Sequence, residues 1–176
     1  MDNKLQEKLA EANIRVLHSQ MSDADVNDLV RSLMALAMYD PKAELQFFIT
    51  GGLEFGRAMP IYDAMRAIPN PIFGIAMGAV YEFSVLLLAS CDHRAALPHA
   101  EFSIDEAYGV IDAGGRQQTE FQIAADQAIA ENAVFEELMA KHTKQPVEKI
   151  RSTVQSHEML KVKDALAFGI IDEIIQ

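Results

Sequence analysis

Glu82 is the residue whose type and setting most invite chemistry. It is the only charged residue between Arg66 and Asp92, in the most apolar part of the chain. The pattern places it where a buried strand passes into a helix. Two readings follow. At a helix N-terminus, exposed backbone N–H groups would hold it as an anion. Desolvated instead, the carboxyl would keep a proton near neutrality and could act as an acid or base. Spacing alone does not choose between them. Gly51-Gly52, at the end of an apolar run, could turn backbone amides toward an oxyanion or a phosphate, or simply form a turn. Neither GxGxxG nor GxxxxGK occurs, so nucleotide binding has no motif behind it. The histidines at 18, 93, 99, 142 and 157 lack ligand spacing such as HExxH, and neither a metal nor a cofactor is expected. Glu101, Asp105 and Glu106 form an acidic cluster for which a solvated surface is the default explanation.

The elements that would position these residues follow from periodicity and punctuation. Residues 2–13 are rich in helix formers, with apolar positions too sparse to bury much. IRVLHS at 14–19 predicts a short strand. Ser22 and Asp25 form a capping box, and Val26, Leu29, Leu33, Leu36 and Met38 then recur at roughly helical spacing. That helix should stop at Asp40-Pro41, since proline disfavours helix in the residue before it. ELQFFIT at 44–50 is a strand candidate ended by Gly51-Gly52. A helix over 55–67 tolerates Pro60 only near its first turn. IFGIAM at 72–77 is a further strand, after which Gly78 turns the chain toward a helix from Glu82 to Ser90. HRAAL and EFSI are short strand candidates. Helices are expected over 117–142, from Pro146 to Ser156, and from Lys163 to Phe168, the last closed by Gly169. IIDEII is a final strand. Strands alternating with helices define an α/β class built from crossover units, in one domain over 1–176.

Composition narrows the function. The 176 residues are half apolar and 23% charged, which excludes disorder and permits a real core. Acidic residues outnumber basic ones 26 to 15, for a formal charge of −11. Such a surface repels nucleic-acid backbones and anionic membranes, so neither is an expected partner. The start lacks an apolar signal-peptide core, and prolines with Glu82 interrupt the stretch from Ala67 to Cys91. A soluble, cytoplasmic protein is expected, with the single Cys91 as a buried, reduced thiol.

Five ordered landmarks resemble the proteolytic subunit family of Clp proteases (ClpP). IYDAM at 61–65 is similar to the family's IYDTM helix. Gly78 through Ala89 follows its nucleophile segment, G-x-A-x-S-M-G-x-x-L-L. RAALPHA at 94–100, ELMAKHTKQPVEKI at 137–150 and DALAFGIIDEII at 164–175 resemble its later segments. The resemblance implies a ClpP/crotonase-type fold of repeated β-β-α and βα units, with 117–142 as a protruding handle helix that packs ring against ring.

The same resemblance puts the family's serine, histidine and aspartate at Glu82, Asp105 and His157, all three substituted. Neither carboxylate supplies the activated hydroxyl and imidazole pair that acyl transfer needs. Ser84 lies two residues on and in a helix would point away. The family's SPGG oxyanion segment corresponds to TGGLEF, with Gly51, Gly52 and Leu53 at the oxyanion position. An acidic helical segment over 1–13 stands in place of the axial loops and argues against docking of an ATP-driven unfoldase. Ser156 replaces a ring-pairing arginine. A second resemblance, to crotonase-type hydratases over 89–115, places Glu106 on one catalytic glutamate but Leu86 on the other. These departures imply a triad-less, ClpR-like, non-peptidase subunit of a homo-oligomer or mixed ring. The alternative is an enzyme with repurposed acid–base chemistry, for example on an acyl-thioester, using Glu82 with Asp105, Glu106 and His157. A third reading is an interaction module that never enters a ring.

Overall fold

The computed structural model describes residues 3–105 and 118–176. Glu106 therefore lies outside the described residues. In chain order the elements are α1 (Asn3–Glu11), β1 (Ile14–Leu17), α2 (Asp23–Tyr39), β2 (Leu45–Leu53), α3 (Phe55–Ala67), β3 (Ile72–Glu82) and α4 (Phe83–Ala89). There follow β4 (His93–Ala96), β5 (Glu101–Ser103), α5 (Gln118–Thr143), α6 (Val147–Ser156), β6 (Met159–Lys161), α7 (Val162–Phe168) and β7 (Glu173–Ile174). The sheet runs β1-β2-β3-β4-β7, with β5 on β3 and β6 on β5. Only the β5–β6 pair is antiparallel among the described strands. The fold is thus mixed α/β, as expected.

Local chemistry accounts for most boundaries. Ser22 and Asp25 make the reciprocal capping box at the start of α2, and α2 stops at Tyr39, just before Asp40-Pro41. Gly169, at φ +91°, closes α7 in the left-handed conformation glycine favours. Pro60 departs from expectation, for it is the sixth residue of α3 rather than in its first turn. It cannot donate to the Gly56 carbonyl one turn back, but both residues are exposed and water can satisfy that group.

Two expected breaks are instead continuations. β2 does not stop at Gly51-Gly52, because Gly51, Gly52 and Leu53 pair with Val80, Tyr81 and Glu82 of β3. The expected turn is absent there, since that backbone continues the strand, although β1 pairs with β2 only as far as Ile49. Gly78 likewise sits inside β3, at φ +61°. Here the register with β2 slips, and β3 leaves β4 (paired over 73–76) to join β5 (paired over 79–80). Glycine tolerates the positive φ of that irregularity, so a residue expected to end a strand lets it change neighbours. IIDEII forms a two-residue strand only, with Ile170 and Ile171 buried beside it. β6 carried no signal in the sequence, its MLK being too short to show alternation.

The core gathers both faces of the sheet. Phe47, Ile49, Leu86 and Phe102 are all fully buried, and Cys91 is buried as expected. α4 is buried along its whole length, Phe83 to Ala89. No helix among the described residues is long and apolar enough to cross a membrane.

Candidate functional site

Strand register assembles the site. Leu53 pairs with Glu82 at the shared end of β2 and β3. β5 lies on the other side of β3, Val80 opposite Phe102, so Asp105 just beyond β5 comes beside the end of β3. Ser103 pairs antiparallel with Met159. Continuing that register by two residues sets Asp105 across from His157, and their side chains meet with Oδ1–Nδ1 at 3.7 Å. That is an ion-pair distance if the imidazole is protonated and too long for a hydrogen bond. The Asp105 side chain is mostly shielded, while that of His157 is 61% exposed. The Ser103 hydroxyl donates to Asp105 Oδ1 at 2.7 Å and fixes the carboxylate.

Glu82 occupies an elbow between β3 and α4, at φ +52° and ψ −143°. This region is nearly closed to residues other than glycine and carries about 1–3 kcal/mol of strain. Its side chain makes no capping hydrogen bond with α4, so the reading in which backbone amides satisfy it does not hold. Burial pushes its carboxyl above the usual carboxylate range, and the charges of Asp105 and Glu54 push it the same way. The elbow is packed closely. A Cβ on Gly52 would fall 2.4 Å from the Tyr81 ring and 2.8 Å from Glu82 Oε2. Beneath it, Phe83 makes edge-to-face contacts with Phe55 and Phe135.

The structure brings Glu82, Asp105 and His157 to one end of the sheet, with Gly52 and Leu53 alongside. Ser84 is 1% exposed and its hydroxyl has no hydrogen-bond partner among the described residues, so it is sealed in the core. Sequence reading missed Glu54 and Ser103. Ser103 could have been found from its i, i+2 spacing to Asp105 along an extended strand. Glu54 could have been found only from the register that sets β2 against β3. No group of three or more His, Cys, Asp or Glu suited to a metal ion occurs among the described residues.

Charge and strain at Glu82 can be separated by two substitutions. Glu82→Gln should stabilise the protein at pH 7, because burial and the Asp105 and Glu54 charges disfavour the ionised carboxylate. Raising a carboxyl pKa in the folded state weakens folding as pH rises above its unfolded value near 4.5. The advantage of the glutamine variant should therefore fade as pH falls toward 4.5. Glu82→Gly should add about 1 kcal/mol more, strain relief exceeding the greater backbone entropy of glycine. Urea midpoints at pH 7 and pH 4 measure both effects.

An open sheet whose strained elbow carries a titratable side chain, met by two more from neighbouring strand and helix ends, defines a mixed α/β protein with its candidate site at one end of the sheet. Comparison with known proteins narrows this to a family. Residues 2–176 match the family model for Clp protease. ATP-dependent Clp protease proteolytic subunit 4 of Streptomyces avermitilis is 33% identical over 171 residues, covering 96% of this chain and 75% of that protein. Proteolytic subunit 2 of Streptomyces coelicolor is 33% identical over 171 residues, covering 96% and 78%. Proteolytic subunit 1 of Bifidobacterium longum is 31% identical over 172 residues, covering 96% and 73%. The chain belongs to the Clp protease family.

A second titratable pair lies away from the elbow. Tyr62 Oη and His142 Nε2 are 2.9 Å apart, joining α3 to the end of α5. Burial, reinforced by Lys141, Arg66, Lys144 and Arg94, lowers the His142 pKa to about 4. The folded imidazole thus stays neutral while the unfolded one protonates near 6.5. Its contribution to stability is complete above pH 6.5 and lost as pH falls through 4. His142→Gln should flatten the stability profile between those limits, as paired urea titrations would show.

Proposed function

We propose that this chain is a non-peptidase member of the Clp protease family, acting as a structural or regulatory subunit of a homo-oligomeric or mixed ring in the cytoplasm. One observation carries the reading: the strained elbow, where acyl transfer would need a hydroxyl, bears a carboxyl group at Glu82. Asp105 and His157 stand in each other's usual order, an acid where the base belongs and an imidazole where the orienting acid belongs. The neighbouring hydroxyls do not substitute, since Ser84 is buried and Ser103 is bound to Asp105. The family membership and the 26-residue α5, which bears the exposed Ile123 and Ile129, support assembly.

A peptidase assay tests this, run on the isolated chain and on mixtures with an active Clp proteolytic subunit. The isolated chain should cleave fluorogenic peptides at the rate of buffer, and native mass should report sevenfold multiples alone or mixed. Serine-reagent-sensitive turnover by the isolated chain would end the proposal.

The Glu82 environment favours a second reading, in which the same pocket performs acid–base chemistry, for example on an acyl-thioester. A carboxyl whose pKa is raised by burial and by the neighbouring Asp105 charge is the kind of group an acid–base pair uses. Trimers or hexamers instead of sevenfold assemblies, and thioester turnover lost in Glu82→Gln, would favour it.

A further inference from the structure

At the opposite edge of the sheet, a cavity of about 480 Å³ lies between α1, β1 and α2. Its walls are mostly apolar, from Leu9 of α1, Ile14 and Val16 of β1, Met21, and Leu29 of α2. Its size and lining suit a small ligand with a hydrocarbon body. β1 is the outermost strand, and three consecutive residues, Ile14, Arg15 and Val16, reach the cavity, which therefore follows the strand's free edge.

The polar groups in the walls divide into answered and unanswered charge. Asp25 is held by the Ser22 amide and hydroxyl in the capping box. Asp28 pairs with Arg31. His18 accepts from the Gln20 amide. Arg15 differs. Its Nε donates to Ser32 Oγ at 3.3 Å, and its Nη1 donates to the Ile14 and Ala10 carbonyls at 3.0 and 3.5 Å. All three acceptors are neutral, and Nη2 makes no hydrogen bond among the described residues. Burial lowers the pKa of the guanidinium, and among the described residues no carboxylate charge offsets that. A half-buried cation with neutral partners, beside an apolar cavity, is an incomplete pair.

We propose that this cavity binds a small apolar acid, its hydrocarbon body between α1 and α2 and its carboxylate on the Arg15 guanidinium. The carboxylate completes the charge pair that the chain leaves open, and the planar fork of arginine suits it. The apolar body removes Leu9, Ile14 and Val16 from water against the buried Met21 and Leu29.

Titration calorimetry of the full chain with decanoate, decanol and decylamine tests this. Decanoate should bind saturably and more tightly than decanol, and decylamine most weakly, because Asp25 and Asp28 are already engaged. Arg15→Met should weaken decanoate ten- to a hundredfold, the range for one charged hydrogen bond, while leaving decanol unchanged. Retained decanol binding would also show that the variant folds. Leu29→Trp, which fills the cavity, should abolish both. The proposal is overturned if decanoate fails to saturate, if decylamine binds as tightly as decanoate, or if Arg15→Met leaves decanoate affinity unchanged. The comparison of three ligands on the unmodified chain decides the matter even if either variant fails to fold.

Discussion

Phe83→Ala should lower the free energy of unfolding by about 3–5 kcal/mol, the range for truncating a buried aromatic residue. Phe83 is 3% exposed. Its ring stands 5.3 Å from Phe55 at 79° and 5.0 Å from Phe135 at 71°, so truncation forfeits two edge-to-face contacts as well as burial. The three rings join the start of α3, the start of α4 and the body of α5. Glu82 precedes Phe83 directly, and its strained backbone persists only while the surroundings hold it. The loss should therefore reach the site, relaxing the elbow and returning the Glu82 carboxyl toward its ordinary pKa. Urea unfolding measures the first effect, and carbon-detected NMR titration of the Glu82 carboxyl measures the second. Phe83→Leu, which keeps most of the volume, should cost about 1 kcal/mol. An alanine variant within about 1 kcal/mol of the parent would mean that something other than the ring cluster anchors the elbow.

The second large effect is expected at Gly169. Its Cβ, if present, would lie 2.7 Å from the Thr143 carbonyl oxygen, a backbone atom at the end of α5 that cannot easily retreat. Its φ of +91° independently penalises any side chain. Strain and overlap together should make Gly169→Ala cost about 3 kcal/mol, or roughly 6–12 °C in Tm for a chain of this size. The position is also a hub. The Gly169 amide closes α7 on Ala165 and Leu166, and its carbonyl accepts from Arg94 Nη1 at 2.8 Å. Arg94 in turn bonds the His142 carbonyl and pairs with Asp172. Gly169→Asn separates the two causes, because asparagine tolerates a left-handed backbone but still carries the Cβ. Calorimetry should find it nearly as unstable as the alanine variant. An asparagine variant close to the parent would show that conformation alone, not contact with Thr143, demands glycine.

These residues also show what could be read without coordinates. The capping box of Ser22 and Asp25, the stop before Pro41 and the closure at Gly169 depend on neighbours within a few positions, so they were legible. So was the burial of Cys91, which follows from a run of apolar residues. The glycines at 51, 52 and 78 were not. Each is a plausible strand terminator locally, yet Gly52 admits the Tyr81 ring and Gly78 lets β3 change partners, needs created by segments distant in the chain. Pro60 was misplaced for a similar reason, since exposure of Gly56 decides whether a proline inside the helix is tolerated.

The candidate site divides along the same line. Amino-acid sequence alone determined that Glu82 is the lone charge in an apolar run. Tertiary structure alone decided what Glu82 experiences. Its pKa depends on burial and on Asp105 and Glu54, and its strain depends on a strand and a helix meeting over the Phe55, Phe83 and Phe135 rings. The pairing of Asp105 with His157 is likewise set by the register of β5 on β6. Desolvation, Coulomb interaction and backbone strain depend on distances through space, and those distances exist only once the ladders are in register.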